Sequence, residues 1–252
     1  MDFTGKIALV TGASRGIGKV VAQMFAQHGA RVAVHYHQNA TAARQVLESL
    51  PDGTHMTVQA DMADSAAVQG MVDSVAAEMG GLDILVNNAG IYEEHPIAEV
   101  DYDQWRGAWA RILQTNLVGA ANAMFCAVPH MQARGGGRIV NVSSRGAFRG
   151  EPTAPAYGAS KAGMNAMSQS LAVALAPHNI FVAVVAPGWV ETDMAIDHLN
   201  SPAGEAIRNQ SPLGRVAAPE EVAYAVLFLA AEQTAFMTGA ILDVNGASYL
   251  RT

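Results

Sequence analysis

A tyrosine and a lysine four positions apart, Tyr157 and Lys161 in the run YGASK, are the pair in this chain best suited to proton transfer. If this run is helical, the spacing puts both side chains on one face of the helix. A free tyrosine has a pKa of about 10, and a neighbouring ammonium group lowers that pKa because it stabilises the phenolate. Tyr157 can then protonate a developing alkoxide, or accept a proton from an alcohol in the reverse direction.

Two other polar residues have types and positions that fit the same chemistry. Ser144 lies thirteen residues before Tyr157 at the end of the run RIVNVSS, and its hydroxyl can hold a substrate oxygen if a strand ends there. Ser143 competes with it for this role, and Asn116 is a polar residue in a mainly apolar helical stretch. Each feature also has a structural explanation: YxxxK pairs occur on solvated helix faces, strand-end serines act as caps, and an asparagine can kink a helix.

Short apolar runs alternate with longer helical patterns along the chain, and these elements must position the polar residues. The runs IALV and FVAVV are apolar throughout, which indicates strands buried on both faces of a parallel sheet. This alternation predicts one α/β domain over residues 1–252, with a doubly wound, Rossmann-like parallel sheet of about seven strands flanked by helices on both faces. The predicted strands are 6–10, 31–36, 55–59, 82–86, 138–142, 181–185 and 240–244, and the predicted helices are 16–28, 41–50, 65–79, 113–134, 156–176 and 219–230.

The first strand is followed by the glycine-rich run TGASRGIG, residues 11–18. Glycines permit a tight turn and a close approach of the backbone to a ligand. The helix that starts there presents free N–H groups and the positive end of its dipole to a pyrophosphate. At the first βα turn of such a chain, the run predicts a dinucleotide site. Its candidate cofactor residues are Gly12, Ser14, Arg15, Gly16, Ile17 and Gly18.

The turn has the spacing G-x-x-x-G-x-G, and here the chain resembles the short-chain dehydrogenase/reductase family, whose cofactor turn reads T-G-x-x-x-G-x-G. The order and spacing of Asn116, Ser144, Tyr157 and Lys161 match the catalytic tetrad of that family. The resemblance covers essentially the whole chain, from residue 5 to residue 246. It implies a Rossmann-like oxidoreductase that uses a nicotinamide cofactor.

The same resemblance implies cofactor contacts after the later strands. Asp61 resembles the family aspartate that contacts the adenine, and the segment NNAG at 87–90 matches the one that lies along the cofactor. In the segment APGWVET, Thr192 is implied to bind the nicotinamide carboxamide, with help from the backbone of Val190. The implied cofactor residues outside the glycine turn are Tyr36, Asp61, Met62, Asn88, Ala89, Gly90, Tyr157, Lys161, Pro187, Gly188, Val190 and Thr192.

The end of the second strand bears on the choice between NAD(H) and NADP(H). This strand ends at VHYHQN, without the acidic residue that binds the adenosine ribose in NAD enzymes. Tyr36 stands where that acid is expected, and Arg15 in the glycine turn can pair with a 2′-phosphate. NADP(H) is therefore favoured over NAD(H). His35 and His37 share one face of the strand, but no third ligand is near them and no metal site is predicted.

Composition excludes several other classes of protein. The net charge of −7 argues against a nucleic-acid binder, and the longest apolar run, 222–231, is about half the length that spans a bilayer. The single cysteine, Cys126, cannot form an intrachain disulfide, and residues 1–6 lack the layout of a signal peptide. We therefore expect a cytoplasmic protein with no membrane and no nucleic-acid partner.

The resemblance implies a mechanism in which NADPH delivers a hydride to a carbonyl carbon. Ser144 would position the carbonyl oxygen and Tyr157 would protonate it. Lys161 would lower the pKa of Tyr157 and hold the nicotinamide ribose, while Asn116 would support a proton path by ordering water. The predicted substrate wall is 91–95, 145–151, Trp189 and 193–210, and Pro and Gly residues near 191–212 suggest a mobile substrate lid.

By general appearance, the chain resembles the 3-oxoacyl-(acyl-carrier-protein) reductases within the family. Arg134 could dock an acyl carrier protein, but His178 and Phe181 stand where other basic residues are expected. A dehydrogenase of a sugar, a steroid or another small alcohol is an alternative. A non-redox epimerase is a further alternative. A non-catalytic dinucleotide-binding sensor is another, although such a protein has no chemical need for Tyr157 and Lys161. Family resemblance also implies a homo-tetramer, with helices 113–134 and 156–176 and the last strand at its interfaces.

Overall fold

A parallel sheet forms the centre of the fold in the computed structural model, which describes residues 1–251. Neighbouring strands are parallel and lie in the order β3-β2-β1-β4-β5-β6-β7. The predicted doubly wound, Rossmann-like class is confirmed. The order reverses between β1 and β4, where the carboxyl ends of the strands leave a crevice for a ligand. The strands are β1 (Ile7–Val10), β2 (Arg31–Tyr36), β3 (Met56–Gln59), β4 (Ile84–Asn87), β5 (Gly137–Val142), β6 (Ile180–Pro187) and β7 (Ile241–Val244).

Helices cover both faces of this sheet. They are α1 (Gly16–Gln27), α2 (Ala40–Glu48), α3 (Ser65–Met79), α4 (Tyr102–Leu113), α5 (Gly119–Ala133), α6 (Gly146–Arg149), α7 (Pro155–Leu175), α8 (Ile196–Asn200), α9 (Gly204–Arg208) and α10 (Pro219–Ala230). The first face is covered by α1, α2 and α10, and the second by α3, α5 and α7. Alternate residues of β1 enter the two cores, Ala8 and Val10 on the first face and Ile7 and Leu9 on the second. Burial of one such large apolar side chain stabilises the fold by about 1.5–3 kcal/mol.

Four helices, α4, α6, α8 and α9, are not predicted from the sequence patterns. At the start of α4, the Asp101 carboxylate accepts the Gln104 N–H and the Gln104 side chain accepts the Asp101 N–H, so the run DYDQ is a capping-box signal that could have revealed this helix. The other three have only four or five residues, too few for a helical period to show. The predicted helix 113–134 includes a π-helical turn, Gln114–Val118, between α4 and α5.

The helical stretch Tyr102–Ala133 is long and apolar enough to cross a membrane by length and composition alone, with a mean hydropathy of 1.2 in its most apolar window. The core helix of a folded domain meets the same weak criterion. Ala123, Met124, Ala127 and Met131 of this stretch are fully or almost fully buried in the core on the second face of the sheet. Packing on the sheet therefore accounts for the apolar character of α5.

An ion pair holds the amino-terminal edge of the sheet. Asp83 is nearly buried and forms two hydrogen bonds of 3.0 Å with the guanidinium of Arg134, through Nε and Nη2. Its Oδ2 also accepts the N–H of Ile7, 2.8 Å away, so one carboxylate joins β1, β4 and the end of α5. Arg134, the residue considered for carrier-protein docking, is therefore engaged at the edge of the sheet opposite the ligand crevice.

The replacement Asp83→Asn should lower the free energy of unfolding by about 2 kcal/mol, because it leaves the Arg134 charge without its partner. The effect is below that of a fully buried pair because Arg134 is partly exposed to water. Urea denaturation measures it. The exposed Asp52→Asn variant loses the same charge on the surface, and an equal effect of the two replacements would contradict this role of Asp83.

Candidate active site

Helix α7 carries Tyr157 and Lys161 on its first turns. It begins at Pro155, whose fixed φ and missing N–H suit the first position of a helix. Lys161 Nζ lies 5.7 Å from the centroid of the Tyr157 ring and donates a hydrogen bond to Val142 O at 2.8 Å. The predicted pair is therefore brought together at the carboxyl end of β5.

Burial dominates the acid–base properties of this pair. It raises the pKa of Tyr157 to about 12, and a smaller hydrogen-bonding effect of Ser144 acts in the opposite direction. Burial also lowers the pKa of Lys161 to about 8, because the ammonium loses contact with water. The predicted lowering of the Tyr157 pKa by Lys161 is therefore corrected for this structure. Desolvation is the largest influence on the pKa of Tyr157, and the lysine Nζ is directed at Val142 O.

The two candidate serines at the end of β5 face different partners. Ser144 Oγ accepts a hydrogen bond from the N–H of Gly146 at 3.0 Å. Its hydroxyl also lowers the pKa of the Tyr157 phenol through a side-chain hydrogen bond. Ser143 is buried, and its Oγ donates to Lys161 O at 3.2 Å, which ties β5 to α7. Ser144 is the serine placed beside the tyrosine.

Asn116 lies in the π-helical turn between α4 and α5, fully buried. Such turns are rare, and they occur frequently at functional sites. Its Oδ1 accepts the N–H of Ile91 at 2.8 Å and its Nδ2 donates to Ile91 O at 2.9 Å. A Cβ placed on Gly90 would lie 3.3 Å from Asn116 Oδ1 and 3.6 Å from Lys161 Nζ. The NNAG segment therefore passes next to both residues, and a side chain at 90 would crowd them.

A chain of buried polar groups, missed by the sequence analysis, aligns α7 with the sheet. Asn87 Nδ2 donates to Asn141 Oδ1 at 2.8 Å, and Asn141 Nδ2 donates to Ser168 Oγ, also at 2.8 Å. These bonds cross from β4 to β5 and then to α7. A buried polar group that loses its hydrogen-bond partner costs about 1–3 kcal/mol of stability. These hydrogen bonds therefore specify the position of the helix that carries Tyr157.

The glycine turn has the geometry that a dinucleotide requires. Gly12 has a φ of +64°, and a Cβ there would lie 2.9 Å from Ala89 Cα. At Gly18, a Cβ would lie 2.4 Å from Gly12 O, so neither position accepts a side chain. The first helical bond of α1 runs from Lys19 N–H to Arg15 O, and no side chain caps the helix start. The N–H groups of residues 16–18 are therefore available to a diphosphate, and this cradle fits a nicotinamide dinucleotide.

His35 holds this turn against β2. Its Nδ1 accepts the N–H of Gly12 at 2.9 Å, so the proton of the neutral ring is on Nε2, which donates to Ala60 O at 3.1 Å. Burial lowers the pKa of His35 to about 4. From the sequence, His35 is expected to be part of a polar strand end, whereas in the structure it is a buried link between β2 and the segments that follow β1 and β3. Among residues 1–251 no cluster of three potential metal ligands is found.

The predicted adenosine side of the site lies around the carboxyl ends of β2 and β3. Tyr36 is the last residue of β2 and follows His35, and Arg15 is exposed at the start of α1. The Asp61 carboxylate lies 3.6 Å from His37 Nε2, and its Oδ1 accepts the N–H of Ala63. Met62, beside Asp61, is buried.

The segments after β4 and β6 complete the predicted cofactor surface. Asn88 donates from Nδ2 to the carbonyls of Thr11 and Gly12, and the N–H of Ala89 binds Thr11 Oγ1, so NNAG is fastened to the glycine turn. Gly188 follows Pro187 at the end of β6 and packs closely on Asn245. Val190 is buried and pairs with Ala217, and a Cβ on Gly16 would lie 3.4 Å from the Thr192 methyl group. These separate segments thus meet at one crevice.

Three rings line the approach to Tyr157, from segments predicted to form the substrate wall. Tyr92 lies edge-on to Tyr157, with 5.2 Å between the ring centroids. His198 of α8 lies 6.1 Å from Tyr92 and 5.5 Å from Trp189. The wall beside the Tyr157 phenol is therefore largely aromatic, and part of it belongs to the segment predicted to be a lid.

Comparison with known proteins gives a consistent result. A family model described as enoyl-(acyl carrier protein) reductase matches residues 12–247. The chain is 39% identical over 247 residues to the cis-4-hydroxycyclohexanecarboxylate dehydrogenase of Sinomonas cyclohexanicum, with 97% of this chain and 96% of the relative covered. It is 36% identical over 251 residues to the 3-oxoacyl-(acyl-carrier-protein) reductase FabG of Vibrio cholerae, with 99% of this chain and 100% of the relative covered.

A solved structure agrees with these relatives. The crystal structure of a short chain dehydrogenase from Burkholderia cenocepacia in complex with NADP has a TM-score of 0.87 and 34% identity, and covers 98% of this chain and 99% of that chain. The fold and the matches define an oxidoreductase that acts on CH–OH groups with a nicotinamide dinucleotide. The chain belongs to the short-chain dehydrogenase/reductase family, as its motifs predicted.

The shifted pKa of His35 predicts how stability depends on pH. The folded protein keeps His35 neutral down to about pH 4, whereas the unfolded chain binds this proton near pH 6.5. As the pH falls from 6.5 to 4, the unfolded state gains a proton that the folded state does not take up. The free energy of unfolding therefore decreases, by a total on the order of 3 kcal/mol.

Urea denaturation between about pH 4.5 and pH 7.5 isolates this contribution when the wild type is compared with His35→Gln, whose amide can still accept the Gly12 N–H. The wild type should lose stability more steeply than the variant as the pH falls below 6.5. His178→Gln, on the surface, serves as the control and should follow the wild type. Parallel curves for the wild type and His35→Gln would show that His35 is not the titrating group.

Proposed function

We propose that this protein is an NADP(H)-dependent oxidoreductase that reduces a carbonyl to a secondary alcohol, or catalyses the reverse reaction, with Asn116, Ser144, Tyr157 and Lys161 as its catalytic residues. The observation that carries the proposal is the meeting of Tyr157, Lys161 and Ser144 at the carboxyl end of β5, next to the NNAG segment that is hydrogen-bonded to the glycine turn. NADPH, when bound, supplies the hydride that the carbonyl carbon accepts.

The side chains supply the proton and position the oxygen. Ser144 donates a hydrogen bond to the carbonyl oxygen, which stabilises the negative charge that develops there. The phenol of Tyr157, with its pKa raised to about 12, keeps its proton at neutral pH and transfers it to the developing alkoxide. Lys161, with its pKa lowered to about 8, stabilises the resulting phenolate and returns a proton to it. Asn116 holds the backbone of Ile91 in place and supports the proton path next to Lys161.

NADP(H) is the proposed cofactor, held by the glycine turn and the segments after β2, β3, β4 and β6. His35 fastens the end of β2, where Tyr36 lies, to the glycine turn that contains Arg15. No acidic residue occupies the last positions of β2 to repel a 2′-phosphate. Arg15 is exposed and can give this phosphate a charge-assisted pair. The related Burkholderia structure, which contains NADP, supports this preference.

The substrate of the proposed reaction is a small-molecule carbonyl or alcohol. Similarity to FabG supports a 3-oxoacyl thioester, although Arg134 is held by Asp83 away from the crevice and does not support carrier-protein docking. The aromatic wall of Tyr92, His198 and Trp189 favours a compact ring as the alternative, since aromatic rings pack well on flat apolar faces. The Sinomonas relative, named for a cyclohexane substrate, supports this alternative.

A cytoplasmic homo-tetramer is the proposed form of the enzyme. Exposed apolar side chains on the helices expected at the interfaces, Phe125 of α5 and Val173 of α7, support an assembly that covers them.

Oxidation of NADPH and NADH, followed by absorbance against 3-oxoacyl thioesters, cyclic ketones, ketosugars and steroid ketones, tests the proposal. Net oxidation with one substrate class supports the oxidoreductase. Cofactor binding without net oxidation in any class would favour a dinucleotide-binding sensor or a non-redox epimerase instead.

The Tyr157→Phe variant should bind NADPH with a Kd within about twofold of the wild type and lose turnover by a factor on the order of 1,000, because only the proton donor is removed. Cofactor fluorescence gives the Kd and steady-state kinetics gives kcat. Tyr224→Phe, at an exposed position of α10, is the matched control and should keep full activity. More than a tenth of the wild-type kcat in Tyr157→Phe would remove Tyr157 from this role.

The Arg15→Ala variant should raise the KM for NADPH by about 10–100-fold, the effect expected when a hydrogen bond to a charged group is lost. The KM for NADH, which has no 2′-phosphate, should change little. Arg44→Ala on the exposed side of α2 controls for the loss of one positive charge. Equal changes of the two KM values would contradict selection of NADP(H) by Arg15.

A further inference from the structure

Arg145, the residue after Ser144, is a buried cation that the proposed reaction does not use. Its residue exposure is only 3%, and burial lowers its pKa to about 10. Within residues 1–251 no carboxylate lies within 4.0 Å of its guanidinium. Removing a charge from water without a carboxylate in direct contact is costly, and the more distant Glu151 only partly offsets the lowered pKa of Arg145, so this position requires a reason other than stability.

The hydrogen bonds of Arg145 join segments that are distant in the chain. Its N–H donates to Pro187 O at 2.8 Å, at the end of β6. Its guanidinium donates from Nη1 to Ser248 Oγ and from Nη2 to Gln210 Oε1. Planar and rigid, a guanidinium can hold two acceptors in a defined geometry. Arg145 therefore connects the end of the Ser144 strand with the predicted lid and the C-terminal segment.

The lid segment, residues 191–212, is attached to the rest of the molecule at few places. It leaves and returns through the pairing of Val190 with Ala217, and its own core is the small cluster of Ala195, Leu199 and Ile207. Its inner contact with the reactive centre is His198, which touches Tyr92. With so small a core, the position of this segment depends on individual polar contacts.

The last part of the lid, around Gln210, is called here its returning arm. A cavity of about 130 Å³ lies beside this arm, and it is lined by Arg145, Trp189 and Gln210 and by residues between Asp243 and Ser248. The charged groups at this cavity are engaged elsewhere: Arg215 pairs with Glu221, and Asp243 pairs with Arg251. Because of this cavity, the arm is not closely packed at Gln210. Three polar contacts hold it there: the Arg145 guanidinium donates to Gln210 Oε1, Arg149 Nη1 donates to the same oxygen at 3.5 Å, and Ser211 Oγ donates to Gly246 O at 2.7 Å. Of these, Arg145 is the group that also binds Ser248 and so joins the arm to the C-terminal segment and the end of β5.

We propose that Arg145 is a positioning residue that clamps the returning arm of the lid, through Gln210, to Ser248. This clamp sets the distance of His198 and Trp189 from the substrate bound at Tyr157. This inference rests on the proposed function for the role of the lid in substrate binding. Because Arg145 follows Ser144 directly, the clamp also ties the position of the lid to that of the serine hydroxyl. Loss of the clamp opens the lid without removing a group that reacts.

Three variants test the clamp: Arg145→Met, Gln210→Ala and Ser248→Ala. Arg145→Met should raise the KM for the carbonyl substrate about tenfold, leave kcat within about twofold, and leave the Kd for NADPH unchanged. Limited trypsin digestion should cleave the lid after Arg208 several times faster than in the wild type. Ser248→Ala and Gln210→Ala, which each remove one acceptor, should show the same pattern at about threefold, and they carry the test if Arg145→Met does not fold.

Arg44→Met and Ser170→Ala, both at exposed positions outside the lid, are the matched controls and should behave as the wild type. Wild-type KM and cleavage rate in all three variants would overturn the clamp. A rise in the Kd for NADPH in step with KM would also overturn it, because it indicates general damage to the fold. The cleavage assay needs no turnover: fast cleavage in a protein that reduces no substrate refutes only the proposed function, whereas unchanged cleavage in an active enzyme refutes only the clamp.

Discussion

The burial of the Lys161 ammonium at the carboxyl edge of the sheet is the constraint on which the rest of the site depends. An ammonium group in such a place requires acceptors at defined positions, and Val142 O provides one at the end of β5. This bond exists only if α7 lies in one register against the strand. Asn87, Asn141 and Ser168 set that register with buried hydrogen bonds that join β4, β5 and α7. The geometry of the proposed catalytic tetrad thus depends on polar groups that take no part in the proposed reaction.

Burial also assigns different protonation states to the two residues. The phenol of Tyr157 and the ammonium of Lys161 have similar pKa values in water, and desolvation separates them to about 12 and about 8. At neutral pH the tyrosine therefore holds its proton firmly, which suits donation to an alkoxide. The lysine is closer to its own titration, which suits a group that replaces the lost proton. One physical effect, removal of water, produces both properties.

Buried polar groups also determine the shape of the dinucleotide crevice, because they hold in place the exposed groups that line it. Thr11 and Asn88 hold the glycine turn to β4, and the neutral ring of His35 holds it to β2. Free N–H groups at the start of α1 then face the crevice in a fixed direction. Arg145 continues this pattern, because its buried guanidinium connects the end of β5 with Gln210 in the segment proposed to be a lid.

Most of the fold, and the meeting of Tyr157, Lys161 and Ser144 at the end of β5, could be predicted from the sequence, because both depend on local signals. Strands buried on both faces are recognisable as short apolar runs, and the spacings of TGASRGIG and YGASK depend only on turn geometry and helical period. All seven strands lie where the apolar runs predict them, within a few residues. The short helices α8 and α9 could not be predicted, because five residues do not show a period.

The roles of His35, Asn141 and Arg145 were decided only by the tertiary structure. In the sequence, each is a polar residue at or near a strand end, and nothing local distinguishes it from a solvated one. Their function comes from contacts with residues 23 to 103 positions away, and these contacts form only when strands distant in the chain lie side by side. The pKa values of Tyr157 and Lys161 were decided in the same way. The sequence places these residues on one helical face and so determines that they interact, but the depth of their burial, which sets the sign of each shift, depends on what the rest of the chain packs around them.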